Sequence, residues 1–448
     1  SHSLACMRLQ LPHPLVLLLA AVGIAAMLTW VLPAGAYQRR ADPASGREVV
    51  IPGTYAPAEA APVGIKDALL SVPRGIIAGA DVIVTILFVG GAFALLDATG
   101  ALARLVGSLV GRTRRPRTVV IVVSIAFAIF GALENMHEEI IALIPVLVVL
   151  SQGLGFGAIT ALAMSVGAAV VGSAFGPTNP FQTGIALRFA ELPPLSQPAL
   201  RFSLFAAAVA VWIAWTLLMA KRDDVLTEVS AAPAEPAERA TLRDAVLLAI
   251  VIVPFVPYVI GVVRYDWGFN ELSALFLVAG FAVGLVSGRS LSDTAAAFLK
   301  GMEAMLAAAL FVGVARAISV VFTDGRVIDT IVHGLATPLA HLPGFAAALM
   351  MIPVHALLHV PVPSVSGQAV LTMPIMAPLS DLLGIGRDAA VIAYQTGAGL
   401  MDMITPTNGA LLAMLLGAKV SYGRWLRFAI PGVALVAVVG IAGIALAL

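Results

Sequence analysis

The chain alternates long apolar runs with short polar segments, and the runs have the length that a membrane-spanning helix requires. A helix crosses the hydrocarbon core of a bilayer in about 20 residues. Seven uninterrupted runs of this length predict spanning helices, and they cover residues 11–33, 75–96, 202–220, 245–263, 272–288, 304–322 and 428–448.

Four further apolar segments are interrupted near their middles. Two of them, 118–152 and 344–380, carry Pro, Gly or charge half-way along, so each half is too short to cross and we predict two re-entrant helical hairpins. The other two, 158–190 and 387–418, contain a Pro-Thr-Asn sequence and predict helices that are broken inside the membrane. Together with the seven uninterrupted runs, the broken helices give a model with nine crossings.

Composition supports a membrane setting. Of the 448 residues, 60% are hydrophobic and 11% are charged, which is more apolar surface than a soluble core of this size could bury. The sequence therefore predicts an all-α polytopic membrane protein that is surrounded by a lipid bilayer. A net charge of +1 offers no overall field for nucleic acid, and the single cysteine, Cys6, excludes an intrachain disulfide and a multi-cysteine metal site.

The distribution of basic residues predicts the orientation. In the nine-crossing model, with a cytoplasmic amino terminus and an extracytoplasmic carboxy terminus, the main basic clusters fall on the cytoplasmic side of a bacterial inner membrane. A charged Ala/Pro/Glu segment, 221–243, is predicted to be a cytoplasmic linker between a first half, 1–220, and a second half, 244–448. The clusters comprise Arg104, Arg112, Arg114, Arg115, Arg117, Lys221, Arg222, Lys419, Arg424 and Arg427.

The two halves share an internal repeat. The Pro177-Thr178-Asn179 and Pro406-Thr407-Asn408 sequences lie 229 positions apart (408 − 179), and Leu150-Ser-x-x-Leu-Gly-x-Gly157 matches Leu379-Ser-x-x-Leu-Gly-x-Gly386 at the same spacing. Hairpin, linker and broken helix therefore recur in register. In the nine-crossing model the two units have opposite orientations, and such inverted repeats meet where substrate and coupling ions bind.

Several longer motifs carry a family resemblance. The segment from Ser366 to Pro378, the Thr405-Pro-Thr-Asn-Gly409 break and the closing Lys419-Val-Ser-Tyr-Gly-Arg-Trp-Leu-Arg-Phe428 are similar to the C4-dicarboxylate anaerobic carrier-like family, also called the YfcC family, of the ion transporter superfamily. The resemblance implies an ion-coupled secondary transporter that forms a homodimer and moves its substrate by an elevator-like displacement. Because the family covers carriers of dicarboxylates and of basic amino acids, and because the tip Glu134-Asn-Met-His-Glu-Glu139 departs from its pattern, the substrate stays open.

The broken helices and hairpin tips supply the candidate substrate site. A half-helix that starts after Pro180 or at Gly409 points backbone amides at a carboxylate, whereas the half-helix that ends before each break offers carbonyls to sodium, which we expect near Asn179 and Asn408. The alternative is that Pro-Thr-Asn only kinks packed helices. The candidate substrate-binding residues are Thr178, Asn179, Pro180, Thr407, Asn408, Gly409, Ser364, Ser366, Gly367, Asn135 and Arg316.

Arg316 is an isolated charge inside an apolar helix. A charge at this depth costs about 2.5 to 3.5 kcal/mol, so it requires a partner or a function. It could hold a substrate carboxylate with two hydrogen bonds, or it could form a structural ion pair with Asp81, Glu303 or Asp402.

The tip of the first hairpin carries three carboxylates. They could hold a coupled proton or a cationic amino acid, or they could form a solvated tip that pairs with the nearby arginines. His137 adds a group that titrates near neutral pH or makes a structural hydrogen bond. Asp402 is a candidate ligand for sodium or a proton. The candidate ion-coupling residues are Glu134, His137, Glu138, Glu139, Ser173, Asp402 and Thr405.

Other classes of protein fit less well. His355 and His359 have the spacing of a zinc-binding helix, but Ala356 stands where a metalloprotease needs its Glu, so no enzyme is predicted. A passive anion channel would need a filter-like run of carbonyls, which this sequence lacks, and two inverted half-sites favour alternating access. We therefore predict an ion-coupled secondary carrier of a small carboxylate-bearing solute, driven by sodium or protons and requiring no other cofactor. A C4-dicarboxylate is the first candidate substrate, and an arginine/ornithine type of basic amino acid exchange is the alternative.

Overall fold

The computed structural model describes residues 14–41, 48–101, 104–105, 108, 115–193, 195–220, 240–265 and 267–448. Helices make up nearly all of the regular structure in these residues. In the first half they are α1 (Pro14–Val31), α2 (Ile65–Ala78), α3 (Ala80–Asp97), α4 (Pro116–Glu134), α5 (Ile140–Gly153), α6 (Ala158–Phe175), α7 (a π turn Pro180–Gly184 followed by Ile185–Phe189) and α8 (Pro198–Met219).

The second half continues with ten helices. They are α9 (Leu242–Ile252), α10 (Phe255–Tyr265), α11 (Phe269–Val286), α12 (Leu291–Asp324), α13 (Ile328–Ala336), α14 (Gly344–Leu358), α15 (Val365–Leu382), α16 (Arg387–Tyr394 followed by a π turn Gln395–Gly399), α17 (Gly409–Gly417) and α18 (Tyr422–Ala447).

Six of these helices are long and apolar enough to cross a membrane, namely α3, α4, α6, α8, α11 and α18, and the bent helix α12 raises the number to seven. Each of the six contains an 18-residue apolar window with at most two charged residues. A helix suits such a segment because backbone polar groups in lipid must be paired within it. The predicted helical membrane architecture is therefore present. The count of nine crossings and the orientation of the termini stay predictions.

Both predicted hairpins are helix–turn–helix units. In the first hairpin, α4 and α5 are joined by residues 135–139, and Asn135 ends α4 in a left-handed conformation with φ of 60°, which Asn tolerates better than most residues. In the second hairpin, α14 and α15 are joined by residues 359–364, and the Ser364 hydroxyl caps α15 by accepting a hydrogen bond from the Gly367 amide.

Both predicted helix breaks are also present. In the first broken helix, α6 ends at Phe175 and helical structure resumes at Pro180; in the second, α16 gives way to turns after Met401 and α17 begins at Gly409. The helix starts Ala158 and Arg387, like the restarts at Pro180 and Gly409, keep the repeat spacing found in the sequence. The inverted orientation of the two repeats stays a prediction.

Three predicted spans differ from the structure. The run 75–96 is divided, because α2 ends at Ala78 and α3 starts at Ala80. The last turn of α2 packs closely on α12, since a Cβ added to Gly75 would lie 2.6 Å from the Gly313 carbonyl oxygen. The run 245–263 is divided at Pro254, which has no amide hydrogen to continue the helix. The run 304–322 is part of α12, which has 34 residues.

The structure also contains short strands that the sequence did not predict. Between α1 and α2, β1 (Gly35–Ala36) pairs with β4 (Ala56–Pro57), and β2 (Arg39–Ala41) pairs with β3 (Glu48–Val50), in each case antiparallel. The all-α prediction is therefore wrong for this loop. The predicted linker 221–243 lies outside the described residues up to position 239, and the division into two halves stays a prediction.

Small residues hold each hairpin against its broken helix. A Cβ added to Gly131 of α4 would overlap the Ala169 carbonyl oxygen of α6, and one added to Gly172 of α6 would overlap the Ala128 carbonyl oxygen of α4. In the second half, a Cβ on Gly397 would overlap the Ile352 carbonyl oxygen of α14. Such close backbone approach is a common basis for helix association in membranes. Each hairpin therefore packs directly on the broken helix that follows it.

Ion pairs fasten the outer ends of these units. Arg387, at the start of α16, contacts Asp381 at 2.6 Å and Glu191 at 2.8 Å. Hydrogen bonds from the Arg387 guanidinium lower the pKa of Asp381 below its ordinary value. At another edge, Arg104 contacts Asp244 at 2.6 Å and lowers its pKa in the same way. Because Arg387 bridges the end of the first broken helix and the second hairpin, it ties the two repeats together.

Candidate functional site

A cavity of about 460 Å³ lies where the two hairpin turns meet the second break and α12. This volume falls in the range of about 300 to 1,000 Å³ that is typical of small-molecule sites. Among the predicted site residues, its wall includes Asn135, His137, Glu138, Glu139, Arg316, Ser364, Ser366, Asp402, Thr407, Asn408 and Gly409.

The second break is organised by its own side chains. The Asn408 side-chain oxygen accepts from the Leu411 amide at 3.0 Å, which caps α17, and its amide nitrogen donates to the Asp402 backbone oxygen at 3.0 Å and to Asp402 Oδ1 at 3.1 Å. The Thr407 hydroxyl donates to the Val360 carbonyl in the second hairpin turn at 2.8 Å and lies 2.9 Å from the Thr405 hydroxyl. The break is therefore pinned to the hairpin turn while Asp402 faces the cavity.

The first break is closed on itself. Asn179 is fully buried; its side-chain oxygen accepts from the Phe181 and Gln182 amides, and its nitrogen donates to the Gly131 carbonyl at 2.9 Å. The Ser173 hydroxyl contacts the Asn135 side-chain oxygen and Gln182 Oε1. Among these residues only Asn135 and Phe181 line the cavity. The polar groups of the first break therefore bind each other and α4.

Several predicted site residues do not line the cavity. Thr178 is exposed and Asn179 buried away from it, Ser173 and Thr405 are buried, and Gly367 is exposed beside the second hairpin turn. The side chains of Glu134 and Pro180 lie outside the described part of the structure. The prediction that both breaks present their Thr and Asn side chains to one cavity is therefore matched only by the second break.

The carbonyls that end α6 are occupied by protein groups. Gln395, in the π turn of α16, donates from Nε2 to the Ala174 carbonyl at 2.8 Å and to the Thr183 hydroxyl at 2.7 Å. Its side-chain oxygen accepts from Arg201 at 2.8 Å, and Arg201 also pairs with Asp388 at 2.7 Å. The two broken helices are thus joined by a buried polar network.

A chain of buried polar side chains runs from the second hairpin to the cavity, and the sequence analysis missed it. His359 Nε2 lies 2.8 Å from Asp402 Oδ1, and His359 Nδ1 lies 3.0 Å from Gln368 Oε1. Gln368 Nε2 donates to the His355 carbonyl at 2.7 Å, and His137 Nδ1 lies 3.6 Å from Asp402 Oδ2. The two histidines four residues apart were visible in the sequence, where we considered them only as zinc ligands.

The described residues contain no group of three His, Cys, Asp or Glu arranged to hold a metal ion. His355 and His359 do not converge on one point, because His359 turns both ring nitrogens to Gln368 and Asp402.

The charge of the cavity wall is predominantly acidic. Asp81, Glu138, Glu139 and Asp402 contribute four carboxyl groups, and Arg316 contributes one guanidinium. In the described part of the chain, Arg316 is exposed to the cavity and forms no ion pair with Asp81, Glu303 or Asp402, the three partners that the sequence suggested. Its guanidinium is therefore available to a bound molecule.

Comparison with known proteins places the chain among transporters. A protein of Haemophilus influenzae described as uncharacterized is 30% identical over 412 residues, which cover 88% of this chain and 80% of that protein. The putative basic amino acid antiporter YfcC of Escherichia coli is 30% identical over 369 residues, which cover 77% of this chain and 73% of that protein.

Two solved structures are similar over most of their length. The YdaH transporter of Alcanivorax borkumensis gives a TM-score of 0.46 at 17% identity and covers 97% of this chain and 98% of its own. MtrF of Neisseria gonorrhoeae, described within a class of antimetabolite efflux pumps, gives 0.43 at 16% identity and covers 97% of this chain and 94% of its own.

The family comparison extends over almost the whole sequence. The model of the C4-dicarboxylate anaerobic carrier family, DcuC, matches residues 11–448, which include both hairpins and both breaks. Together with the long apolar helices, this match identifies a multi-pass bacterial membrane protein of a transporter family. The resemblance found in the motifs is confirmed, and the chain belongs to the DcuC family of C4-dicarboxylate anaerobic carriers.

Proposed function

We propose that this protein is a secondary active carrier of a small cationic solute that also bears a carboxylate, a description that fits the basic amino acids. The observation that carries the proposal is the charge of the cavity wall, where four carboxyl groups face one guanidinium. A wall of this sign attracts a cation and repels a dianion at the ionic strength of a cell.

The two kinds of group on the wall suit the two ends of such a solute. A side-chain ammonium or guanidinium would bind the acidic side formed by Asp402, Glu138 and Glu139. The solute carboxylate would bind Arg316, which can offer two parallel hydrogen bonds, and the amide end of α17 at Gly409. The name of the E. coli relative, a putative basic amino acid antiporter, supports the same solute class.

A C4-dicarboxylate is the second candidate solute. Arg316 and the family description favour it, since a carboxylate needs a positive partner. A dianion would fit this cavity only if several carboxyl groups of the cavity wall were protonated. The dicarboxylate is therefore the second candidate.

The proposed mechanism is alternating access with an elevator-like displacement of hairpins and broken helices, in a homodimer. The close packing of each hairpin on its broken helix supports movement as a unit. Sodium or a proton would drive the exchange.

Counterflow in proteoliposomes tests the proposal. Vesicles loaded with unlabelled L-arginine should accumulate external labelled L-arginine transiently, whereas vesicles loaded with succinate should not. Label that enters only with internal succinate and external labelled succinate would establish the dicarboxylate instead. Uptake without any acceleration by internal solute would indicate a passive channel, because only a carrier exchanges label against excess unlabelled solute. The same assay with sodium replaced by choline distinguishes the two coupling ions, because only sodium-coupled exchange should be lost.

A further inference from the structure

We propose that His359 and Asp402 bind the coupling proton between them, and that the cationic solute displaces this proton by binding the same carboxylate. The inference rests on the proposed function for its second part. It makes Asp402 the shared partner of proton and solute, and it makes Gln368 a positioning residue.

The orientation of Gln368 follows from its neighbours. The His355 carbonyl oxygen can only accept a hydrogen bond, so the Gln368 atom 2.7 Å away must be the amide nitrogen. The Gln368 oxygen therefore points at His359 Nδ1, 3.0 Å away, and accepts its hydrogen. A neutral His359 would then carry its only ring hydrogen on Nδ1, which leaves Nε2 as an acceptor.

The contact on the other side of His359 then requires an additional proton. Nε2 and Asp402 Oδ1 lie 2.8 Å apart, and neither a neutral Nε2 nor an ionised carboxylate can donate. Two acceptors approach this closely only with a hydrogen between them, on the imidazole or on the carboxyl group. The pair therefore holds one proton more than a neutral histidine and a carboxylate would hold separately.

The surroundings of the pair let this proton exchange with the cavity. His359 and Gln368 are fully buried, whereas Asp402 lines the cavity and its second oxygen lies 3.6 Å from His137 Nδ1. Within the described residues, His137 Nε2 is buried without a hydrogen-bond partner. The titratable and charged groups around the pair are His137, Glu138 and Glu139 from the first hairpin, His355 and Tyr394 behind His359, and Tyr258, Asp81 and Arg316 across the cavity.

The exchange can be written with its proton balance. When the solute cation contacts Asp402, the N–H bond at His359 Nε2 breaks and the proton leaves to water in the cavity. His359 changes from a cation to a neutral ring with its remaining hydrogen on Nδ1, and Asp402 stays ionised and paired with the solute. Because Nε2 and Oδ1 are then two facing acceptors, Asp402 turns towards the solute, and the hydrogen bond from Asn408 transmits this movement to the second break.

The first experiment measures L-arginine binding to the purified protein by calorimetry across a range of pH. Competition with one proton predicts that the apparent Kd rises up to tenfold for each unit of pH decrease, and that about one proton is released per solute, as shown by heats in buffers of different ionisation enthalpy. The His359→Gln variant should bind L-arginine with almost no pH dependence and release almost no protons.

Two further variants separate coupling from structure. His341→Gln changes an exposed histidine outside the cavity and should keep the wild-type pH profile. Gln368→Glu adds a negative charge next to Nδ1, which favours an imidazolium, so the midpoint of the binding profile should move to higher pH. An unchanged slope in His359→Gln, or an unmoved midpoint in Gln368→Glu, would overturn the inference.

A measurement without solute tests the proton itself. In protein labelled with ¹⁵N-histidine and ¹³C-aspartate, magnetic resonance at neutral pH should show either two ring hydrogens on His359 or a protonated Asp402 carboxyl group, and Asp402→Asn should leave His359 neutral. A neutral His359 beside an ionised Asp402 in the wild type would refute the shared proton, even where L-arginine binds. Conversely, a shared proton in a protein that binds neither L-arginine nor L-lysine would leave this site established and refute the proposed solute.

Discussion

The two Pro-Thr-Asn breaks have nearly the same sequence but differ in what they offer to a ligand. In the first, Asn179 and Ser173 bond to each other, to Gln182 and to the Gly131 carbonyl, so the break is packed shut. In the second, Asp402 stands at the position that corresponds to Ser173, and it faces the cavity. The same helix break is thus packed shut in one half and forms part of the wall of the candidate cavity in the other.

The difference extends to the hairpins. Phe130 in the first hairpin occupies the position that corresponds to His359 in the second, and Glu139 corresponds to Gln368. Among the described residues, these corresponding positions therefore form the buried acid–imidazole pair in the second repeat and not in the first. This teaches that a repeat identified by its helix-breaking residues predicts geometry in both copies, whereas the chemistry depends on the few positions at which the copies differ.

The strongest way to break this comparison is to replace the two corresponding polar residues, Asp402 and Ser173, one at a time. Asp402→Asn should raise the Kd of L-arginine at least about 30-fold, because removing one partner of a buried charge pair costs about 2 to 5 kcal/mol. Ser173→Ala should leave the Kd within about threefold. Calorimetry on both purified variants gives the result, with Asp97→Asn, an exposed carboxyl group outside the cavity, as the charge control. Equal losses in the two variants would mean that both breaks bind the solute.

A second prediction concerns the packing that closes the first break. Gly172→Ala should lower the free energy of unfolding by about 1 to 3 kcal/mol, because its Cβ would overlap the Ala128 carbonyl and α4 would have to shift. Gly23→Ala, where nothing lies within 4 Å of the added Cβ, is the matched control and should not lower the melting temperature. Thermal unfolding in detergent measures both. A stable Gly172→Ala protein would show that α4 and α6 can separate.

The two asparagines sharpen the comparison further. Asn179→Ala should cost about 1 to 3 kcal/mol of stability, since it removes a helix cap and one of the two hydrogen bonds that the Gly131 carbonyl accepts, while solute affinity changes little. Asn408→Ala should weaken L-arginine binding about fivefold, because Asp402 loses a hydrogen bond worth about 1 kcal/mol. Thermal unfolding and calorimetry on the same samples separate the two effects. The reverse assignment, with binding lost in Asn179→Ala, would place the solute at the first break.

The smallest effect is expected at the outer ends of the hairpins. The second repeat has the Arg387–Asp381 ion pair where Gln152 and Ala158 stand in the first. Because the pKa of Asp381 is lowered in the folded protein, its contribution is present above its unfolded pKa of about 3.9 and is lost as the pH falls through the folded value. Asp381→Asn should therefore reduce stability by about 0.2 to 1 kcal/mol at neutral pH, with no difference from the wild type in strong acid. Chemical unfolding at several pH values measures this difference. If the stability difference between the wild type and Asp381→Asn grew as the pH fell, the prediction would be contradicted.

Much of the fold was predictable because the membrane imposes simple rules. Proline, glycine and asparagine inside apolar runs showed where helices turn or break, and both hairpins and both breaks lie where these residues predicted them. The division at Gly79 was not predictable, because glycine also occurs inside helices. The strands between α1 and α2 are too short to leave a periodic pattern in the sequence.

The site was predictable in part. The second break and both hairpin turns line one cavity, as the spacing of the repeats suggested, and Arg316, singled out as an isolated charge in an apolar helix, lines it too. The contact between His359 and Asp402 joins residues 43 positions apart, and no local pattern encodes it. Likewise, the sequence could not show that Asn179 makes its hydrogen bonds within the first break and to Gly131 of α4. The two breaks have similar sequences, and only packing decides which of them faces the cavity.

The bond from Gln395 to the Ala174 carbonyl has a consequence for how the molecule can move. The carbonyl near the end of α6 could otherwise bind an ion, but here it accepts a hydrogen bond from the opposite repeat. The ion pair between Arg201 and Asp388 supports this contact. These contacts join the two broken helices to each other. Under the proposed alternating access, we expect the two broken helices to move together and to keep this network intact.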